Sequence, residues 1–133
     1  MIDRPVLHLS LPVDDLRAAK DFYERTLGCR IGRDQEDWFD AWFFGLQLTL
    51  QLRPQEVMDV SQQGVRHFGV VLPLLTEFDE LVNRVAASGQ AWISKPEKHV
   101  DADLNGKLGG KLADPSGNII EIKFYADSAD YLS

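Results

Sequence analysis

The chain repeats itself. Leu7-His8-Leu9-Ser10-Leu11 opens one stretch and leads into a helix-like run that closes at Gly28. Arg66-His67-Phe68-Gly69-Val70 opens a second, with a helix-like run that closes at Gly89. The histidines are 59 positions apart (67 − 8) and the glycines 61 (89 − 28). Each copy ends in a strand-like segment with a polar residue among apolar ones, Gln51 in Leu50-Gln51-Leu52 and Glu121 in Ile120-Glu121-Ile122. Such a duplication restricts the fold to two similar units. It also gives each unit a histidine and an oxygen-bearing side chain, enough to build one metal site between the copies.

The periodicity within each copy is that of strand, helix, then two or three strands. Leu7, Leu9, Leu11 and Val13 alternate with His8, Ser10 and Pro12, which predicts a half-buried strand over 6–13 with His8 on its polar face. Asp14 or Asp15 is placed to cap a helix with an apolar stripe of Leu16, Ala19, Phe22 and Tyr23, and Gly28 is its stop. Strands are expected over 29–33 and 37–44, the latter carrying an aromatic cluster from Trp38 to Phe44 that reads as core. The clearest alternation runs from Leu46 to Arg53. Residues 54–64 read as a linker. The second copy continues with a strand over 65–72, a helix opened by a Thr76/Asp79 capping box and closed by Gly89, and a short strand over 91–94. Residues 95–110, His99 among them, read as a polar covering loop, Asp114-Pro115-Ser116-Gly117-Asn118 as a turn, and 119–125 as the closing strand. The tail after Ala126 is expected to be loosely ordered. The fold class is therefore α+β, one domain over 1–133, with module one at about 5–54 and module two at about 64–126.

Composition narrows the function. At 133 residues, with 44% hydrophobic and 26% charged residues, the chain is an ordinary globular protein large enough to need no disulfide. Its single cysteine, Cys29, fits a reducing compartment, and the first residues carry no signal-peptide pattern, so the expected location is cytoplasmic. A net charge of −7 argues against nucleic acid, and no apolar run is long enough to span a bilayer.

Two histidines and a carboxylate on one side of a cation leave its other positions open to substrate oxygens, an arrangement suited to iron, manganese, nickel or zinc. His8, His67 and Glu121 are the candidate metal ligands. Gln51 is either a fourth ligand or a neighbour that orients one. Glu121 is also the candidate catalytic base. The plainer alternatives are structural histidines, a solvated Gln51, and a Glu121 that pairs with Lys123 or with a lysine across the sheet. Tyr23 reads as helix-to-sheet packing. No phosphate loop, Gly-x-Ser-x-Gly elbow or Cys-x-x-Cys is present.

Two longer segments carry a resemblance. His8-Leu9-Ser10-Leu11-Pro12-Val13-Asp14-Asp15-Leu16, continued by Phe22-Tyr23-Glu24-Arg25-Thr26-Leu27-Gly28, is similar to the opening of the vicinal-oxygen-chelate superfamily. Asp114-Pro115-Ser116-Gly117-Asn118-Ile119-Ile120-Glu121 resembles its closing motif. That superfamily contains glyoxalase I, bleomycin-resistance proteins, fosfomycin-resistance enzymes and extradiol dioxygenases. The resemblance implies two tandem βαβββ modules curling into an open, barrel-like cleft, a divalent metal held at His8, Gln51, His67 and Glu121, and a homodimer. Gln51 stands where many small members carry histidine or glutamate. Two functions follow. One is a metal-dependent lyase, isomerase or dioxygenase acting on a small vicinal-oxygen substrate. The other is a metal-free protein that sequesters a ligand as the bleomycin-resistance proteins do.

Overall fold

The computed structural model describes residues 3–99 and 106–133. Module one runs β1 (His8–Val13), α1 (Leu16–Asp21, continued by a π-helical turn over Phe22–Thr26), β2 (Arg30–Asp34), β3 (Trp38–Phe43) and β4 (Leu46–Leu52). Module two runs β5 (Phe68–Leu72), α2 (Leu75–Ser88), β6 (Ser94–His99), β7 (Lys107–Ala113) and β8 (Ile119–Tyr125), and a short α3 (Ala129–Leu132) follows. Each module is βαβββ. The strand orders are β1-β4-β3-β2 and β5-β8-β7-β6, with the outer pair parallel and the rest antiparallel in both. The two mixed sheets do not close into a barrel.

Alternation decides which face of each sheet is buried. Leu48 and Leu50 of β4, Phe39 and Ala41 of β3, and Ile120 and Ile122 of β8 are fully buried and join one core with Tyr23 of α1 and Val85 of α2. The opposite faces carry the polar residues, so each module offers one polar concavity. Asp15 caps α1 by accepting from the Ala18 amide, and Gly89 ends α2 in the left-handed conformation at φ 77°.

A polar clasp joins the modules, and it is built from the two most recognisable segments of the sequence. The Tyr23 hydroxyl donates to Asp114 Oδ2 at 2.7 Å. Asn118 Nδ2 donates to the same oxygen and to the Pro12 carbonyl, while the Ser116 and Asn118 amides donate to Asp114 Oδ1. Ser116 Oγ donates to Asp14 Oδ1 and accepts from the Asp14 amide. Burial raises the Asp114 pKa, and the bonds from Asn118 and Tyr23 oppose that rise. The Asp-Pro-Ser-Gly-Asn turn therefore works as a fastener.

Several boundaries differ from the pattern in the sequence. The expected loop over 95–110 contains most of an antiparallel hairpin, β6 and β7, with 100–105 outside the described residues; His99 closes β6. Lys95, Glu97 and Lys98 hide the strand because β6 is a sheet edge, where charge is tolerated and keeps other chains from pairing. The strand expected over 91–94 accordingly begins only at Ser94. The Thr76/Asp79 capping box does not form: α2 begins at Leu75, and its N-cap, Leu74, makes no side-chain cap. The first strands begin at His8 and Phe68, two and three residues later than expected, so His67 sits just ahead of β5. The linker holds two 3-10 turns, Pro54–Glu56 and Val60–Gln62. The tail is tied down by Tyr131, whose ring stacks on Tyr125 at 5.2 Å. Of the aromatic cluster, Phe39 and Phe43 are core, but Phe44 is half exposed.

Candidate functional site

In module two the structure brings His67 and Glu121 together. His67 Nδ1 lies 2.7 Å from the Val65 carbonyl. A carbonyl only accepts, so Nδ1 carries a proton, and in the neutral imidazole Nε2 presents a lone pair. That Nε2 is 3.5 Å from Glu121 Oε1. A lone pair and a carboxylate facing one another need a cation or a proton between them. Glu121 also has lysine partners: Lys123 Nζ is 3.1 Å from Oε1, and Lys111 Nζ, across the sheet, is 3.9 Å from Oε2. Both pairings anticipated as the plainer reading of Glu121 are thus present. The bond to Glu121 raises the Lys123 pKa, since it favours the charged ammonium.

Gly69 fixes the position of Glu121. The two are register partners across β5 and β8, and a Cβ on Gly69 would collide with the Glu121 carbonyl. Only glycine lets the strands approach at the point where the carboxylate projects.

In module one His8 is prepared in the same way. Its Nδ1 donates to the Gln47 carbonyl at 3.1 Å, which leaves Nε2 as the acceptor. Ser10 Oγ donates toward that Nε2 at 3.5 Å, and Gln51 Nε2 donates to Ser10 Oγ at 3.2 Å. Gln51 therefore reaches His8 through Ser10.

Strand register shows that the duplication is less regular than the sequence suggests. Val13 pairs with Leu52 and Ser10 with Thr49 in module one; Leu72 pairs with Phe124 and Gly69 with Glu121 in module two. Ser10 and Gly69 share the 59-residue offset of the two histidines, so the counterpart of Glu121 is Thr49, and that of Gln51 is Lys123. Thr49 is buried and donates to Asp40 Oδ1 at 2.7 Å. Sequence reasoning misses Thr49, Asp40 and Ser10 as parts of the site, and it offers Lys123 and a cross-sheet lysine, here Lys111, only as partners of Glu121. The signal was present in the parallel pairing of first and last strands, but register is not readable without the structure.

The four candidate ligands form two groups in one chain. His8 and Gln51 line a cavity with Ser10, Arg33, Trp38 and Thr49. His67 and Glu121 line another with Lys123. Among the described residues no three His, Cys, Asp or Glu side chains lie close enough to hold a metal ion. Cys29 belongs to neither group: burial pushes its thiol up to about 12, against the opposing pull of the Arg84 charge. No helix among the described residues is long and apolar enough to cross a membrane.

The profile of the Glyoxalase/Bleomycin resistance protein/Dioxygenase superfamily matches residues 6–122. The chain belongs to this superfamily. A glyoxalase/bleomycin resistance protein/dioxygenase from Alicyclobacillus acidocaldarius is 30% identical, with a TM-score of 0.84 and 96% of each chain covered. Two more distant structures share the fold. The fosfomycin resistance protein FosX of Listeria monocytogenes is 14% identical (TM-score 0.72; 98% of this chain and 100% of that one). A lactoylglutathione lyase of Agrobacterium tumefaciens is 19% identical (TM-score 0.65; 90% and 92%). No curated protein matches the sequence.

Proposed function

We propose that the protein is a divalent-metal-dependent enzyme of the glyoxalase/dioxygenase type, acting on a small molecule with two adjacent oxygens. The observation that carries the proposal is the matched preparation of the two histidines. Each has Nδ1 anchored to a backbone carbonyl and Nε2 left as a lone pair, and His67 Nε2 faces the Glu121 carboxylate at 3.5 Å. Iron, manganese, nickel and zinc all suit this mixture of imidazole and carboxylate. His67, Glu121 and His8 would hold the metal, with Gln51 or Thr49 beside it. When bound, the metal supplies a positive charge that polarises the substrate's adjacent oxygens.

The remaining chemistry belongs to the chain. When the cation does not occupy Glu121, Lys123 balances the charge of its carboxylate, and a carboxylate oxygen is then available to accept a proton. Ser10 hands the orientation of Gln51 on to His8. His8 and His67 line different cavities, and no three ligand-type side chains cluster among the described residues of one chain, which favours a site completed by a second copy, with module one of one chain facing module two of the other. A homodimer with composite sites is therefore part of the proposal.

One observation favours a second reading. Lys111 and Lys123 already neutralise Glu121, which a metal-free ligand-sequestering protein would also show. Metal analysis separates the two. Protein purified without chelators, or refilled with iron, manganese, nickel or zinc after stripping, should hold about one metal per chain, and His67→Ala should lose it. Failure of all four metals to bind overturns the enzyme reading, and small-molecule binding unaffected by EDTA and by His67→Ala would establish the second.

A further inference from the structure

The polar face of module one holds a charged pair that the proposed metal chemistry does not use. Asp40 stands in the middle of β3 at 1% exposure. Its Oδ1 accepts from Thr49, and its Oδ2 accepts from Arg33 Nε at 2.6 Å. Burial alone would raise the Asp40 pKa, but the hydrogen bonds from Arg33 and Thr49 and the Arg33 charge outweigh it, and the net shift is downward. The Arg33 guanidinium also lies over the Trp38 ring, 4.8 Å from its centroid. A buried carboxylate and an aromatic face thus fix an arginine whose side chain remains 61% exposed.

The bond to Asp40 uses Nε. Among the described residues the two terminal nitrogens of Arg33 make no hydrogen bond, and Arg33 lines the cavity together with His8, Ser10 and Gln51. That cavity measures about 250 Å3, and Arg33 is the one permanent cation in its wall. It lies just below the range of drug-sized pockets, ~300–1,000 Å3, and suits a small molecule. A free arginine sacrifices side-chain freedom when it binds; this one is already held. The planar fork of a guanidinium matches a carboxylate in two parallel hydrogen bonds. In a chain of net charge −7 a preorganised cation beside a candidate ligand histidine is a local exception that an anion would exploit.

We infer that Arg33, positioned by Asp40 and Trp38, is the residue that selects the ligand's charge, and that the ligand is a small carboxylate with an oxygen on the adjacent carbon, an α-hydroxy or α-oxo acid. The vicinal oxygen rests on the proposed function above; the carboxylate rests on Arg33. A neutral vicinal diol would give the terminal nitrogens of Arg33 no carboxylate to bind, leaving them to water.

The test is calorimetric titration of the full-length protein, metal-stripped and metal-loaded, with oxalate, catechol and inorganic phosphate. Oxalate should bind, and Arg33→Met should weaken it about 10-fold or more, the worth of a charge-assisted hydrogen bond, with catechol affinity unchanged. Arg33→Met strands the Asp40 charge, so Arg33→Met/Asp40→Asn provides a second variant with no buried carboxylate left unpaired, and it should show the same loss. Oxalate affinity equal to wild type in either folded variant overturns the inference, as does tighter binding of phosphate than of oxalate. Arg33-dependent oxalate binding in a protein that takes up no metal would sink the metal reading and leave the Arg33 assignment standing.

Discussion

Replacing Tyr23 with phenylalanine removes one oxygen and tests the clasp that joins the modules. The ring is fully buried and would stay in place, so no cavity forms and the loss is confined to the bond from the hydroxyl to Asp114 Oδ2. Asp114 is 4% exposed, so no water replaces the donor. A hydrogen bond to a charged, buried acceptor contributes about 1.5–3 kcal/mol, and about 2 kcal/mol is the expected loss at pH 7. For a urea dependence of about 2 kcal/mol/M, the unfolding midpoint should fall by about 1 M. The pH dependence follows from the Asp114 shift. Its folded pKa is raised, chiefly by burial, so its ionisation costs stability as pH climbs from the unfolded carboxyl range through the folded value. Tyr23→Phe deletes one of the contacts opposing that rise and extends the loss to higher pH. Below the unfolded carboxyl range both states are protonated, and the deficit should shrink to that of a neutral hydrogen bond, about 0.5–1.5 kcal/mol. Urea titrations followed by circular dichroism at neutral and acidic pH measure both. A deficit below about 0.5 kcal/mol at pH 7, or one that grows on acidification, refutes the assignment of Asp114 as a buried carboxylate that depends on Tyr23.

Gly69→Ala should destabilise the fold by about 1–3 kcal/mol, because a Cβ there strikes the Glu121 carbonyl, and it should weaken metal uptake more than the same substitution at Gly106, whose Cβ would make only an ordinary contact with Ala126; thermal melts and metal titration read both. Lys123→Met should tighten metal binding by about 10-fold or more, since it removes a positive charge 3.1 Å from Glu121 Oε1; weaker binding would make Lys123 a helper of the cation instead of its competitor. Cys29, with its thiol pushed up to about 12 by burial, should resist a disulfide reagent at pH 8 until urea unfolds the chain; rapid labelling of the folded protein would contradict the packing around it.

The duplication, the element order of module one and the core faces were legible in the sequence because each rests on local periodicity: Leu48 and Leu50 against Gln47 and Gln51, or Phe78, Leu81 and Val85 at helical spacing. Residues that depend on pairing across strands were not. His67 and Glu121 could be nominated by type, but Thr49 was passed over because its equivalence to Glu121 depends on register between β1 and β4. In the sequence Arg33 and Asp40 look like ordinary charges in two neighbouring strands. Their significance comes from contacts across the β2–β3 pair, where the register shifts: Arg33 Nε bonds the buried Asp40 and the guanidinium lies over Trp38. The edge hairpin was hidden for the opposite reason: β6 carries the charges that an edge needs, and they resemble a loop. Tyr23 read correctly as a packing residue, but its bond to Asp114, 91 positions away, is a tertiary fact.

The composite site is tested most directly by mixing two variants. His8→Ala damages only the module-one contribution, and His67→Ala only that of module two. Each should bind no metal alone. Unfolded together and refolded, half of the dimers should be mixed, and each mixed dimer should carry one site with both histidines intact. Metal content should then return to about a quarter of the wild-type level, measured by elemental analysis after gel filtration. No recovery on mixing would show that both histidines act within one chain, or that they hold no common metal, and would contradict the account.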